Sequence, residues 1–381
     1  MDAQPESNVS SATLTLSRET LLRALQNTAG VVEKRQTKPI LGNVLLQLEE
    51  HSLTVIATDL EIEVRAQVLV DSADVTHFAI TVPALKLLNI VRALPDGVMI
   101  TLTFAESGRC TLSAGRARFK LSTLPAEAFP LIDLSQATLS LSLPEGRLRQ
   151  LIQHSHFAMA AQDVRYYLNG MCLDIQDHSL RVVATDGHRL STCATTLETD
   201  GLTPTQAIVP RKGVLELVKL LSDSDDLAQL SLASNMLTVQ REGVTLTCKL
   251  IDGRYPDYKR VLPRDNNRLL KADRQQLKAI LQRATILSND RFRSVRLEIQ
   301  PGLLTVHAQN AEQDEAHEEL VVEYEGEPFE IAFNVQYLLD VIGTADDDFI
   351  TLAFREATDP LLVTEQSETM QCQHVIMPMR L

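Results

Sequence analysis

The chain repeats itself, and a repeat constrains the fold more than any single motif can. Residues 42–59 read GNVLLQLEEHSLTVIATD, and residues 169–186 read NGMCLDIQDHSLRVVATD. A weaker copy, SVRLEIQPGLLTVHAQN, spans 294–310. A second landmark keeps the same phase: VPALKLLNIVRAL at 82–94, VPRKGVLELVKLL at 209–221 and FNVQYLLDVIGTA at 333–345. Asp59 to Asp186 and Pro83 to Pro210 are both 127 residues; Asp186 to Asn310 and Pro210 to Asn334 are both 124. Two independent markers with matching offsets imply three tandem units in the 381-residue chain, each of ordinary domain size.

Each unit has a readable order. A first helix is marked by spacings of three and four: Leu21, Leu25, Thr28 and Val32; Leu148, Leu151, Ile152 and Ser155; Leu277, Ile280, Leu281 and Ala284. Two alternating runs joined by a tight turn follow and predict a β-hairpin. A further short strand comes next, then a second helix opened by Pro83 or Pro210, and short strands close the unit. The fold class is therefore α+β, with two helices per unit packed on antiparallel sheets. The expected boundaries are 12–136, 137–265 and 266–381, with residues 1–11 a disordered extension. The joints fall near 130–143 and 263–267.

Aromatics are only 4% of the chain and Trp is absent, so the cores must be built from Leu, Val, Ile and Ala. No apolar run approaches the roughly 20 residues of a membrane helix. The polar, acidic stretch Met1 to Ser11 lacks a signal-peptide pattern, so the expected compartment is the cytoplasm. Cys110, Cys172, Cys193, Cys248 and Cys372 are scattered and form no CxxC pair. They read as buried, inert thiols, with neither a disulfide scaffold nor a zinc site expected.

Net charge is −14, which alone argues against phosphate binding, but its distribution matters more. Residues 17–38 hold Arg18, Arg23, Lys34, Arg35 and Lys38 against Glu19 and Glu33. Residues 272–293 hold Arg274, Lys278, Arg283, Arg291 and Arg293 against Asp273 and Asp290. The stretch 144–165 is also net basic, as are the second helices at 83–94 and 210–221; the one at 334–345 is not. Positive charge thus follows the helices while the rest of the chain is strongly acidic. One reading is that Arg and Lys simply make solvated helix faces. The other is a two-sided molecule whose basic helical face tracks phosphate backbones without reading sequence.

Local strings carry little catalytic chemistry. Thr185-Asp-Gly-His-Arg-Leu190 reads as an Asp-Gly turn between strands; a hydrolase built on Asp186 and His188 would lack a nucleophile and a third member. His154 and His156 are two apart and point to different faces of a helix, which disfavours a metal site. The acidic string from Glu312 to Glu319 reads as a solvated strand or ion-pairing edge. The Met-rich terminus, HVIMPMRL, is either an edge strand packed on its domain or the wall of an apolar pocket.

Several strings together resemble one family: PILGNVLLQL at 39–48, QDVRYYLNGM at 162–171, VATDGHRL at 183–190, VPRKG at 209–213, DGRYPDYKRVLP at 252–263 and the terminal MPMRL. In order and with little change of length, from about residue 12 onward, they resemble the bacterial DNA polymerase III β subunits, the sliding clamps. The resemblance implies a non-catalytic processivity factor that needs no cofactor. Two chains would join head to tail, and six similar domains would close a ring around duplex DNA, contacted without sequence preference. It implies as partners the replicative polymerase α subunit, the clamp loader δ subunit, and other clamp-binding polymerases and repair factors; no membrane is involved. An acidic, repeat-built protein-binding scaffold that never encircles DNA is the alternative.

By the same resemblance, Arg35, Gln162, Tyr166, Tyr167, Arg211 and Lys212 would contact DNA. A pocket for short peptides carrying Leu or Phe would be formed by Leu168, Thr185, Gly187, His188, Arg189, Leu190, Pro256, Arg260, Val261, Asn334, Tyr337, Val375, Met377, Pro378, Met379 and Arg380. The dimer contact would set Phe119 and Leu121 against Ile286 and Leu287 of the other copy, with Arg116 and Arg118 facing Glu312, Glu315, Glu318 and Glu319. His317 would add a titratable group to that contact.

Overall fold

The computed structural model describes residues 11–33, 38–105, 108–133, 136–199, 201–288 and 293–380. Six α-helices are assigned there, two per repeat: α1 (Arg18–Thr28), α2 (Ala84–Ala93), α3 (Glu145–Gln153), α4 (Arg211–Leu220), α5 (Arg274–Ile286) and α6 (Val335–Thr344). Contacts divide the chain into two compact units, Met1–Glu145 with Lys219–Lys249, and Gly146–Val218 with Leu250–Leu381. The central repeat is thus shared between them.

In the first unit a nine-stranded antiparallel sheet runs from the short strand Leu124–Pro125 to Leu139–Pro144. Its seam pairs Ile62–Leu69 of the first repeat with Val244–Lys249 of the second, in register from Ala66 opposite Val244 to Ile62 opposite Cys248. Residues 139–143, expected to be a joint, instead form an edge strand against Leu227–Leu232, because their alternating leucines bury one face. A five-stranded sheet ends on the edge strand Ala117–Ser122. Helix α1 starts where Ser17 Oγ accepts the Thr20 N–H at 3.1 Å, and Leu21, Ala24, Leu25 and Thr28 turn inward. Val32 lies beyond the helix, which gives way to the 3₁₀ turn Ala29–Val31.

In the second unit an eight-stranded antiparallel sheet is centred on Arg189–Thr196 and Gln371–Ile376. A four-stranded sheet ends on the edge strand Glu315–Val321. The terminal strand is therefore interior, paired on both sides, and not an edge strand. Helix α5 is capped by Asp273, whose Oδ1 accepts the Gln276 N–H at 2.8 Å, and it buries Leu277, Ile280, Leu281 and Ala284. Each repeat contains its hairpin, with Glu50, Asp177 and Gly302 left-handed near the turns at φ 55°, 46° and 76°.

Two sequence readings need correction. Cys193 and Cys372 are joined in a disulfide across directly opposed positions of the terminal strand pair. Their separation of 179 residues hid the pairing. Cys110, Cys172 and Cys248 are buried free thiols, pushed up to about 12 chiefly by burial. His154 and His156 do not share a helix: α3 ends at Gln153, and His156 begins the 3₁₀ turn His156–Ala158. The expectation for residues 1–10 lies outside the described residues; Ser11 opens the first strand.

Candidate peptide-binding cavity and charged edges

The second unit carries a largely apolar cavity of about 200 Å³. Its floor is built from strand residues: Leu190 and Val375 face each other across the central strand pair and are buried. Leu168, at the end of the 3₁₀ turn Tyr166–Leu168, closes one side. Pro256, Val261 and Met377 form the rim, and the last two are 53% and 44% exposed, so apolar surface faces solvent. Thr185, Gly187 and Arg189 complete the expected lining.

The Asp-Gly turn holds this wall in place. Asp186 Oδ1 accepts the N–H groups of His188 and Arg189 at 2.9 and 3.0 Å, and Gly187 adopts φ 90°, a conformation that suits glycine. Asp186 is thus committed to the turn and, at 3.1 Å, to Arg189 Nε, as the non-catalytic reading expects. The Arg189 guanidinium also reaches Asp340 and the Phe157 carbonyl, and lies 4.3 Å from the centre of the Tyr337 ring. Tyr337, on α6, therefore supports the wall without lining the cavity, and Asn334 caps that helix.

The remaining expected residues sit around it. His188 and Arg260 are exposed; Arg260 pairs with Asp257 at 2.8 Å. The His188 carbonyl accepts the Met377 N–H at 2.9 Å, and Met379 bridges Ala332 through its N–H at 2.7 Å. Pro378 is half-buried and Arg380 exposed. Three lining residues escaped the sequence reading: Arg165, Asp257 and Tyr258. Tyr258 donates to Asp174 at 2.6 Å; burial and this bond both push its hydroxyl up. Asp163 holds Arg165 through two hydrogen bonds of 3.0 and 2.9 Å. These bonds, with one from the Arg165 N–H, pull the Asp163 carboxyl from 3.8 to about 2. Tyr258 belongs to the quoted string at 252–263, but its partner Asp174 lies 84 residues away.

Of the expected DNA contacts, Arg35 lies outside the described residues. Gln162 is exposed with φ 59°, and Tyr166 is 57% exposed, its ring edge-on to Tyr167 at 5.7 Å. Arg211 and Lys212 open α4, and Arg211 donates to the Met159 carbonyl at 3.0 Å. Some helical charge is held internally: Arg18 reaches Asp96 at 2.6 Å and the Val91 and Arg92 carbonyls.

The two edge strands are opposite in character. Ala117–Ser122 presents exposed Arg118 and Lys120, with Arg116 just before it, and Phe119 37% exposed. Glu315–Val321 presents exposed Glu315, His317 and Glu319, with Glu312 preceding it. At the end of α5, Ile286 is 78% exposed and Leu287 half-buried beside it. Two expected contact residues are otherwise engaged: Leu121 is 7% exposed, and Glu318 is held by Arg283 at 2.6 and 2.7 Å.

Family models of the DNA polymerase III beta subunit match the chain three times: the N-terminal domain at 12–133, the central domain at 142–257 and the C-terminal domain at 259–380. The chain belongs to the DNA polymerase III beta subunit family. It is 45% identical to the beta sliding clamp of Pseudomonas aeruginosa over 367 residues, covering 96% of this chain and 99% of that one. Against the beta sliding clamp of Haemophilus influenzae it is 44% identical over 366 residues, with the same coverage. The structure of the Pseudomonas aeruginosa sliding clamp bound to griselimycin superposes with a TM-score of 0.92 at 44% identity, covering 97% of this chain and all of that one. A Caulobacter crescentus beta sliding clamp gives 0.89 at 36% identity, covering 98% and 100%. The three tandem clamp domains are those of this family, and the chain is a sliding clamp of the replication machinery, a processivity factor and not an enzyme. Among the described residues no helix is long and apolar enough to cross a membrane.

Proposed function

We propose that two copies of this clamp close head to tail into a ring around duplex DNA and tether the replicative polymerase through the cavity beside Leu190 and Val375. The observation that carries the ring is the pair of complementary edges: a basic strand, Ala117–Ser122, in the first repeat and an acidic one, Glu315–Val321, in the third. Their unpaired backbone groups can continue a sheet between copies, and Arg116, Arg118 and Lys120 meet Glu312, Glu315 and Glu319. Phe119 and the exposed Ile286 supply the apolar part of that contact. Such a heterologous contact generates a closed ring when its rotation closes.

A closed ring needs no tight grip on DNA. Weak, screened contacts from Arg35, Gln162, Tyr166, Tyr167, Arg211 and Lys212 would position the duplex without reading its bases. A polymerase docked on the ring meets its primer end at high effective concentration. The apolar cavity suits short Leu- or Phe-bearing segments of the polymerase α subunit, the clamp loader δ subunit and other polymerases or repair factors, which would compete for it. The site of action is the cytoplasm, where bacterial DNA is copied. The test is retention on nicked circular DNA after loading, followed by linearisation. Encirclement requires release through the free end; clamp that stays bound to the linear product is merely adhering, and the ring is then wrong.

A further inference from the structure

A buried cluster in the eight-stranded sheet has the composition of a metal centre. Strands Arg189–Thr196 and Gln371–Ile376 set Cys193 opposite Cys372 and Ser191 opposite His374. Glu365 stands opposite Cys372 from the next strand. Alternation along the strands puts these five side chains on one face. Cys193, Cys372 and His374 are all 0% exposed, and their ligand atoms lie within 4.8 Å of one another. In the structure the two sulfurs are bonded to each other.

We propose that, once this disulfide is reduced, Cys193, Cys372 and His374 bind a thiophilic divalent cation of the Zn²⁺ class, with Glu365 orienting the imidazole. Thiolate and imidazole together are the ligand set that zinc prefers. His374 Nε2 lies 3.0 Å from Glu365 Oε1. The carboxylate accepts a hydrogen bond from the Nε2–H and so leaves Nδ1 as the ligand atom, the arrangement that usually supports a metal-bound histidine. Nδ1 now meets Ser191 Oγ at 2.8 Å, but Ser191 also donates to the His154 carbonyl at 2.6 Å and keeps that partner when the imidazole turns to the metal. Two thiolates then balance the charge of the dication in a buried place, where an uncompensated charge would be costly.

The electrons balance with a dithiol reductant. It gives two electrons and two protons to the sulfur–sulfur bond, becomes a disulfide itself and leaves two thiols. Metal binding then displaces both thiol protons, and any proton that His374 Nδ1 shares with Ser191 Oγ, to solvent. The absence of a CxxC pair is no obstacle, because strand pairing and not sequence spacing assembles the ligands. The same strand carries Val375 and leads into Met377, so either the disulfide or the metal ties the cavity's terminal strand to its neighbour.

The test uses the full chain, reduced with dithiothreitol, freed of reductant under anaerobic conditions and given Zn²⁺ or Co²⁺ alone. After desalting, reduced wild type is expected to retain about one Zn²⁺ per chain and, with Co²⁺, to show a thiolate-to-metal charge-transfer band. Oxidised wild type should retain none. Cys193→Ser with Cys372→Ser should abolish retention, and Glu365→Gln should weaken binding by roughly 10–100-fold. Should the serine variants fail to fold, the oxidised chain remains the folded control, since Cys110, Cys172 and Cys248 are free in both states. Reduced wild type that is folded by circular dichroism yet retains no zinc would overturn the site; so would equal retention in the reduced and oxidised forms. Neither result bears on encirclement of DNA.

Discussion

A single guanidinium organises the cavity wall. Arg189 touches two carboxylates, a backbone carbonyl and the Tyr337 ring, while its own side chain is only 12% exposed. The VATDGHRL string announces the turn, since Asp-Gly is a turn signal by itself. Nothing local announces Asp340, which lies 151 residues away. Asp163 and Arg165 make a smaller, local clamp on the same wall. The Asp163 carboxyl lies below its unfolded value, so its stabilising contribution is present above the ordinary 3.8 and is lost as pH falls toward about 2. Arg165→Ala is expected to move the Asp163 titration part of the way back toward the ordinary carboxylate range, the Arg165 N–H bond remaining, read by carboxyl-carbon NMR. An unchanged midpoint would mean that Arg165 is not the cause.

At the scale of elements, helices and hairpins were legible because each rests on a local period, and α1, α5 and α6 also on a local cap. Leu277, Ile280, Leu281 and Ala284 mark α5, and Asp273 starts it. Asp273→Ala should cost about 1 kcal/mol in denaturant unfolding, the usual loss for such a cap. The edge strands are a different matter. The acidic string was visible as a string, but whether Glu318 faces outward or meets Arg283 depends on how α5 lies on its sheet. Arg118→Glu is expected to weaken dimerisation at least about tenfold, and Glu319→Arg in the same chain to restore part of it, by sedimentation velocity. Dimer strength indifferent to both changes would remove this pair of edges from the interface.

At the scale of the whole molecule, the proposed function rests on topology and dispersed charge. Reversing both Arg211→Glu and Lys212→Glu should shorten residence on circular DNA and flatten its salt dependence by about two phosphate contacts. Binding of a Leu- or Phe-bearing peptide to the cavity should be unaffected. Loss of peptide binding instead would show that the start of α4 supports the cavity and not the duplex.

The three-unit plan, the α+β class and the family were determined by the sequence alone, because repeats, periodicity and ordered strings are properties of neighbours along the chain. Only the tertiary structure decided that the central repeat is divided between two compact units, that the terminal strand is interior, and that Cys193 meets Cys372 beside His374. Each of these depends on which strands pair. Pairing across 100 or more residues is selected by burial of whole sheet faces, a sum over many side chains that no short stretch contains.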